Sequence, residues 1–214
     1  MPTITPVALT RVAAVAAIAS GLLFAGVQIG HPPLESATIA STEVVVRNAI
    51  KSLMGVLALV GITGMYLRDA DRNGVLGAVG YLVLALGYLL IVCTTVIGAF
   101  VLPNVVDTDA AFVDAVLAAM TGDPVESDIG GVAALIGLQG AAYLLGGLVF
   151  GAALVRADVL ARWASVLLAL GGLITVALSL MPHAFYRLLA FPNAIAMAGL
   201  GASLWRASRA RTAR

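Results

Sequence analysis

Glu43, Arg47 and Lys51 stand four residues apart at the head of the apolar run EVVVRNAIKSLMGV (43–56), which puts three charges on one stripe of a helix. Two cations on such a stripe suit an anionic headgroup or amphiphile, and Arg187, at the head of another apolar run, adds a third. His31 and His183 also fall at ends of apolar runs, where with Glu35 they would make a metal set, or between themselves a haem site. The HPP at 31–33 makes a helical turn there unfavourable, so Glu35 does not share a helical face with His31. Both histidines are therefore read as interfacial, and no metal or cofactor is expected. The acids near these residues, Glu35 and Asp107 foremost, are candidates for general acid catalysis on a lipophilic substrate such as an isoprenoid. There is no G-x-S-x-G, H-E-x-x-H or glycine-rich phosphate loop to support nucleophilic or phosphoryl chemistry.

The elements that must position these residues are apolar helices. Hydrophobic residues make up 61% of the 214 and charged residues 11%, and the mean hydropathy is +1.06, whereas about a quarter of a soluble chain is charged. Long uninterrupted apolar runs predict an all-α, polytopic transmembrane bundle occupying 1–214 as one domain, with spans at about 12–30, 44–67, 75–102, 129–155, 159–181 and 188–204. The first run exceeds the length of a signal-peptide core and is read as a retained span. Pro103 and Pro182 close the third and fifth spans. A net charge of +1 gives no reason to expect nucleic acid as a partner.

Basic residues set the orientation. With the N-terminus inside, nine arginines face the cytoplasm and only Arg47, Lys51 and Arg187 face outward, which predicts both termini cytoplasmic in a bacterial plasma membrane. Between spans three and four, Phe112, Val113, Val116, Leu117 and Met120 share one helical face, with Asp107 or Thr108 as N-cap and Gly122 beyond the end. This segment is read as a short amphipathic helix lying on the outer face. GVQIG (26–30) and GLVFG (147–151) are read as glycine pairs for close helix packing.

Depth follows from a rise of about 1.5 Å per residue: Lys51 lies about 24 Å from Leu67, Gln28 about 25 Å from Arg11, Gln139 about 24 Å from Val155, and Asn193 about 18 Å from Trp205. Thr94, Thr95 and Tyr143 join them in the outer half, while the inner half holds little beyond Thr63, Ser165, Ser203 and glycine. Polar groups in hydrocarbon face one another or a hydrated cavity. An outward-facing polar pocket is therefore expected. Its floor is Gln139, Tyr143 and Asn193, its walls carry Gln28, Tyr88, Thr94, Thr95 and Lys51, and its rim carries His31, Glu35, Arg47, His183, Tyr186 and Arg187. The segment at about 107–121 is its lid, and Pro192 would free backbone carbonyls at pocket depth.

Three readings stand at this point: binding of a membrane lipid or anionic amphiphile, intramembrane catalysis on a lipophilic small molecule, or a subunit that pairs with itself or another membrane protein. No carboxylate lies within a span, which argues against an ion-coupled transporter.

GLLFAGVQIGHPP (21–33), LALVGITGMYLRD (57–69), FVLPN (100–104), YLLGGLVFG (143–151) and RWASVLLALGG (162–172) together give the chain the look of a known group. It resembles a family of uncharacterised actinobacterial six-helix membrane proteins. The resemblance implies the same topology and brings no activity or catalytic residue with it.

Overall fold

Thr5 starts the first helix by accepting the Ala8 N–H at 3.2 Å, and Pro6 takes a first-turn position where a missing N–H costs nothing. This helix, α1 (Pro6–Gln28), ends before Gly30, whose φ of 63° turns the chain into the His31–Pro32–Pro33 loop. The computed structural model describes residues 5–125, 127–179 and 190–212. After the one-turn α2 (Ser36–Ile39) comes α3 (Thr42–Arg68), with Glu43 in its first turn and Arg68 in its last, each favourable to the helix dipole. α4 (Ala70–Val96) contains a break at Gly74, φ 57°, so its long straight part begins at Val75.

Beyond α4 the backbone widens into a π-helical turn at Ile97–Val101 and then continues as α5 (Leu102–Val105). Pro103 therefore does not close the run as its sequence position suggests. It lies in the first turn of a new helical segment, where a missing N–H is tolerated.

The lid helix α6 (Ala110–Thr121) is capped by Asp109, which accepts from Phe112 N at 2.9 Å; the N-cap is neither Asp107 nor Thr108. Gly122, in the left-handed conformation, ends it as expected. α7 (Gly131–Ala157), α8 (Arg162–Ser179) and α9 (Ala190–Thr212) follow. Pro182, His183, Tyr186 and Arg187 lie outside the described residues.

The long helices close into a ring in the order α1, α3, α4, α7, α8, α9, with α9 packed back on α1. Four segments, Pro6–Gln28, Thr42–Arg68, Ala70–Val105 and Gly131–Ala157, are long and apolar enough to cross a membrane, and α8 is apolar over Arg162–Ile174. The outside of the ring is apolar too. Leu22, Leu53, Leu82, Leu89 and Leu138 are each more than half exposed, a surface suited to lipid and not to water.

Inside, the two ends of the ring differ. Around the starts of α1 and α8 and the ends of α3, α7 and α9, Ile62, Met65, Leu84, Phe150, Leu168, Met197 and Leu200 fill the axis. At the other end a smaller apolar core joins Ile39, Val44, Leu102, Val113, Val116 and Leu117. The apolar face of α6 is thus spent on protein instead of a membrane surface, and Ser36 fastens it, donating from N and Oγ to Asp114 at 2.8 and 2.9 Å.

The α4–α7 seam is built on absent side chains. A Cβ on Gly87 would come within 2.7 Å of the Tyr143 nitrogen, and Cβ atoms on Gly80 and Gly146 would collide with the backbone of Phe150 and Leu84. Gly151 packs on Ala169 of α8 in the same manner, but Gly26 has nothing within 4 Å and Gly30 serves the turn, so only the second of the two glycine pairs mediates helix contact. We expect Gly87→Val to lower the unfolding midpoint in detergent, at a cost of about 1–3 kcal/mol from overpacking. Gly140→Ala, at a position open to 4 Å, should leave it unchanged or raise it.

Candidate functional site

Where the axis is not filled by apolar side chains, a cavity of about 470 Å³ opens along it. α1 contributes Phe24 and Gln28, α3 Asn48, Lys51 and Met54, α4 Ile91, Thr94 and Thr95, α7 Gln139 and Tyr143, and α9 Ala190 and Asn193. The roof is the loop His31–Pro32 with Leu34, and Leu117, Met120 and Thr121 of α6.

Two wall contacts tie neighbouring helices together. Thr94 Oγ1 donates to Gln139 Oε1 at 2.6 Å across the α4–α7 seam, which leaves the Gln139 amino group to other partners. Ser52 and Thr95 share a hydroxyl bond of 2.8 Å between α3 and α4. At the floor the Tyr88 and Tyr143 rings meet edge to face, centroids 5.3 Å apart.

His31 is assigned a tautomer by its neighbours. Its Nδ1 lies 2.8 Å from the Pro32 carbonyl oxygen, which can only accept, so that nitrogen carries the proton. Nε2 then accepts from the Lys51 ammonium at 2.9 Å. The ring thereby holds the roof loop to α3.

Arg47 has a different task from Lys51. Its Nη1 donates to the carbonyls of Val27 and Ile29, both at 3.0 Å, and Nη2 to Gly30 at 3.2 Å. Nε and Nη2 reach Glu43 at 3.0 and 2.8 Å. These bonds use the five donors of a guanidinium. Arg47 neutralises the carbonyl end of α1, where a cation is favoured by the helix dipole. It lies off the cavity, on an open apolar groove of about 580 Å³ between α1 and α3 with Leu22, Leu23, Val46 and Ile50. The stripe of three charges therefore splits: Glu43 and Arg47 serve the α1 terminus, and Lys51 alone turns to the axis.

Of the residues singled out from sequence, Gln28, His31, Lys51, Thr94, Gln139, Tyr143 and Asn193 line this one cavity. His183 and Arg187 lie outside the described residues. Glu35 and Asp107 are exposed and do not line it, because Glu35 precedes α2 on its outer side and Asp107 sits in the turn before α6. Irregular backbone at cavity depth is supplied by the π turn containing Gly98; Pro192 lies in the first described turn of α9, and the carbonyls it would free lie outside the described residues.

Asn48 and Asp123 line the cavity and were missed. Asn48 carried a signal, since it precedes Lys51 by three residues and shares its helical face. Asp123 follows the lid helix and accepts from Thr121 Oγ1 at 2.6 Å, a position with no periodic signal.

No protein-family model, curated protein or solved structure matches the chain.

Arg47→Ala is expected to destabilise the folded protein by about 2 kcal/mol, the order found for hydrogen bonds to a charged group, since it uncaps α1 and leaves Glu43 without its partner. Thermal unfolding in detergent would show it, and an unchanged midpoint would remove the capping role.

Proposed function

We propose that this chain is a six-span protein of the bacterial cell membrane, with both termini cytoplasmic, whose axial cavity opens outward and binds the polar headgroup of a lipid or similar amphiphile. The observation that carries this is the cavity itself: five of the six ring helices turn polar side chains toward one volume, under a roof, inside a ring whose exterior is apolar. Its size falls within the range of about 300–1,000 Å³ usual for small-molecule sites. Six spans are supported by α8 and α9, which complete the ring alongside the four apolar segments. The orientation rests on the bias of the arginines. Membership of the actinobacterial six-helix family is part of the same proposal and rests on the sequence resemblance.

With Arg47 committed to α1, Lys51, bonded to His31, is the cation among the described lining residues. Binding is preferred to acid catalysis by Glu35 or Asp107 because neither reaches the cavity, where Asp123 is the lining carboxylate among the described residues.

Two experiments test these statements. In native mass spectra of protein released from mild detergent, Lys51→Met should reduce retained lipid at least about fivefold relative to the parent, as expected for loss of a charged hydrogen bond; unchanged adducts would count against the cavity as the lipid site. For topology, a membrane-impermeant maleimide applied to intact cells should label Ala110→Cys in a Cys93→Ser background, and should label Ala210→Cys only after permeabilisation. The reverse pattern would invert the orientation.

A further inference from the structure

Resting on the reading of the cavity as a headgroup site, we infer that the headgroup it takes is an uncharged, hydroxyl-rich one, a glycosyl or other polyol group, and not a phosphate. The polar lining holds four carboxamides among its hydroxyls and charges. Gln28, Asn48, Gln139 and Asn193 come from four different helices and converge on one volume. A carboxamide sets two donors beside an acceptor, which matches neighbouring hydroxyls that must both give and receive hydrogen bonds. A phosphate oxygen only accepts, so it would use the donor half of an amide and leave the acceptor half unused.

The charges point the same way. Among the described lining residues Lys51 is balanced by Asp123, with His31 bonded between Pro32 and Lys51. Phosphate sites gather positive charge, commonly as arginine forks, and the arginine nearest in sequence to Lys51 is directed to the end of α1.

Asn48 is the residue most specific to this reading. It is 7% exposed, lines the cavity, and its carboxamide has no hydrogen-bond partner among the described residues. Its donors and acceptor are thus open to the cavity, where a bound hydroxyl can give to one and receive from the other. Its seat is shaped for it: a Cβ on Gly98, inside the π turn, would stand 3.1 Å from Asn48 Nδ2. Asn193 sits over Gly171 in the same way, where a Cβ would collide with Oδ1.

The test uses the full-length protein in detergent, with native mass spectrometry of three probes: a monoglucosyl diacylglycerol, a phosphatidylglycerol with the same acyl chains, and free glucose. The glucosyl lipid should be retained at least about tenfold better than the phosphatidylglycerol, and Asn48→Leu should abolish most of that preference. The same variant should unfold close to the parent temperature, since the Asn48 side chain makes no hydrogen bond within the described residues and leucine is of similar size; a lowered midpoint would make Asn48 a structural residue and overturn its assignment. Gln28→Leu, at a half-buried position, should weaken glucosyl-lipid retention by a smaller factor. Stronger retention of phosphatidylglycerol, unaffected by Asn48→Leu, would overturn the polyol inference and leave the lipid site standing. Retention of neither lipid would overturn the lipid site itself, and binding of free glucose alone would keep the hydroxyl chemistry while removing the lipid as its source.

Discussion

The approach of α4 to α7, backbone against backbone at Gly80, Gly87 and Gly146, is the constraint on which the cavity depends. Dispersion and short polar contacts hold helices together in hydrocarbon, and both require close approach. That seam brings Thr94 within 2.6 Å of Gln139 and sets Tyr88 against Tyr143. A larger side chain at Gly87 would push α7 outward and separate those pairs. The ring then closes through α8 and α9 onto α1, and its bore is left to be filled by whatever side chains point inward. At one end these are Met65, Leu84, Phe150, Leu200 and their neighbours, large enough to pack the axis. At the other they are shorter amides and hydroxyls, which pack less completely and need partners.

Charge placement near the roof follows from the end of a helix. The last carbonyls of α1 have no partners within the helix, and water is scarce at the edge of an apolar bundle. Arg47 supplies the donors from one turn inside α3, and Glu43 balances its charge. Fixing the end of α1 also fixes where the chain leaves it at Gly30, and so where His31 stands over Lys51. The roof loop is held by the His31 imidazole between a carbonyl and Lys51, while α6 is held by its own apolar core and by Asp114 on Ser36. An acidic helix that reads as amphipathic by sequence thus spends its apolar face on protein, and its Leu117, Met120 and Thr121 become cavity wall.

Much of the helical architecture was legible because its signals are local. Apolar run length marks a membrane-crossing helix, Gly122 marks the end of α6, and a constant rise per residue converts sequence position into depth. Depth alone groups Gln28, Lys51, Thr94, Gln139, Tyr143 and Asn193 near one end. Pro103 misled because a π turn upstream restarts the helix, and Gly26 misled because a glycine spacing does not say whether another helix stands opposite.

Position along the axis, then, belonged to the sequence by itself: all-helical segments, their apolar lengths and the uneven distribution of polar residues between their two halves. Direction around the axis belonged to the tertiary structure. Arg47 and Lys51 are one turn apart and equally polar, yet one is consumed by α1 and the other meets His31 on the cavity, because rotation of α3 against α1 decides which neighbour each can reach. Asn48 and Asp123 became cavity residues for the same reason, the first through its seat on Gly98 and the second through the fold of the lid. Rise per residue is a property of any α-helix, but the partner that a side chain finds is set by packing between helices far apart in the chain.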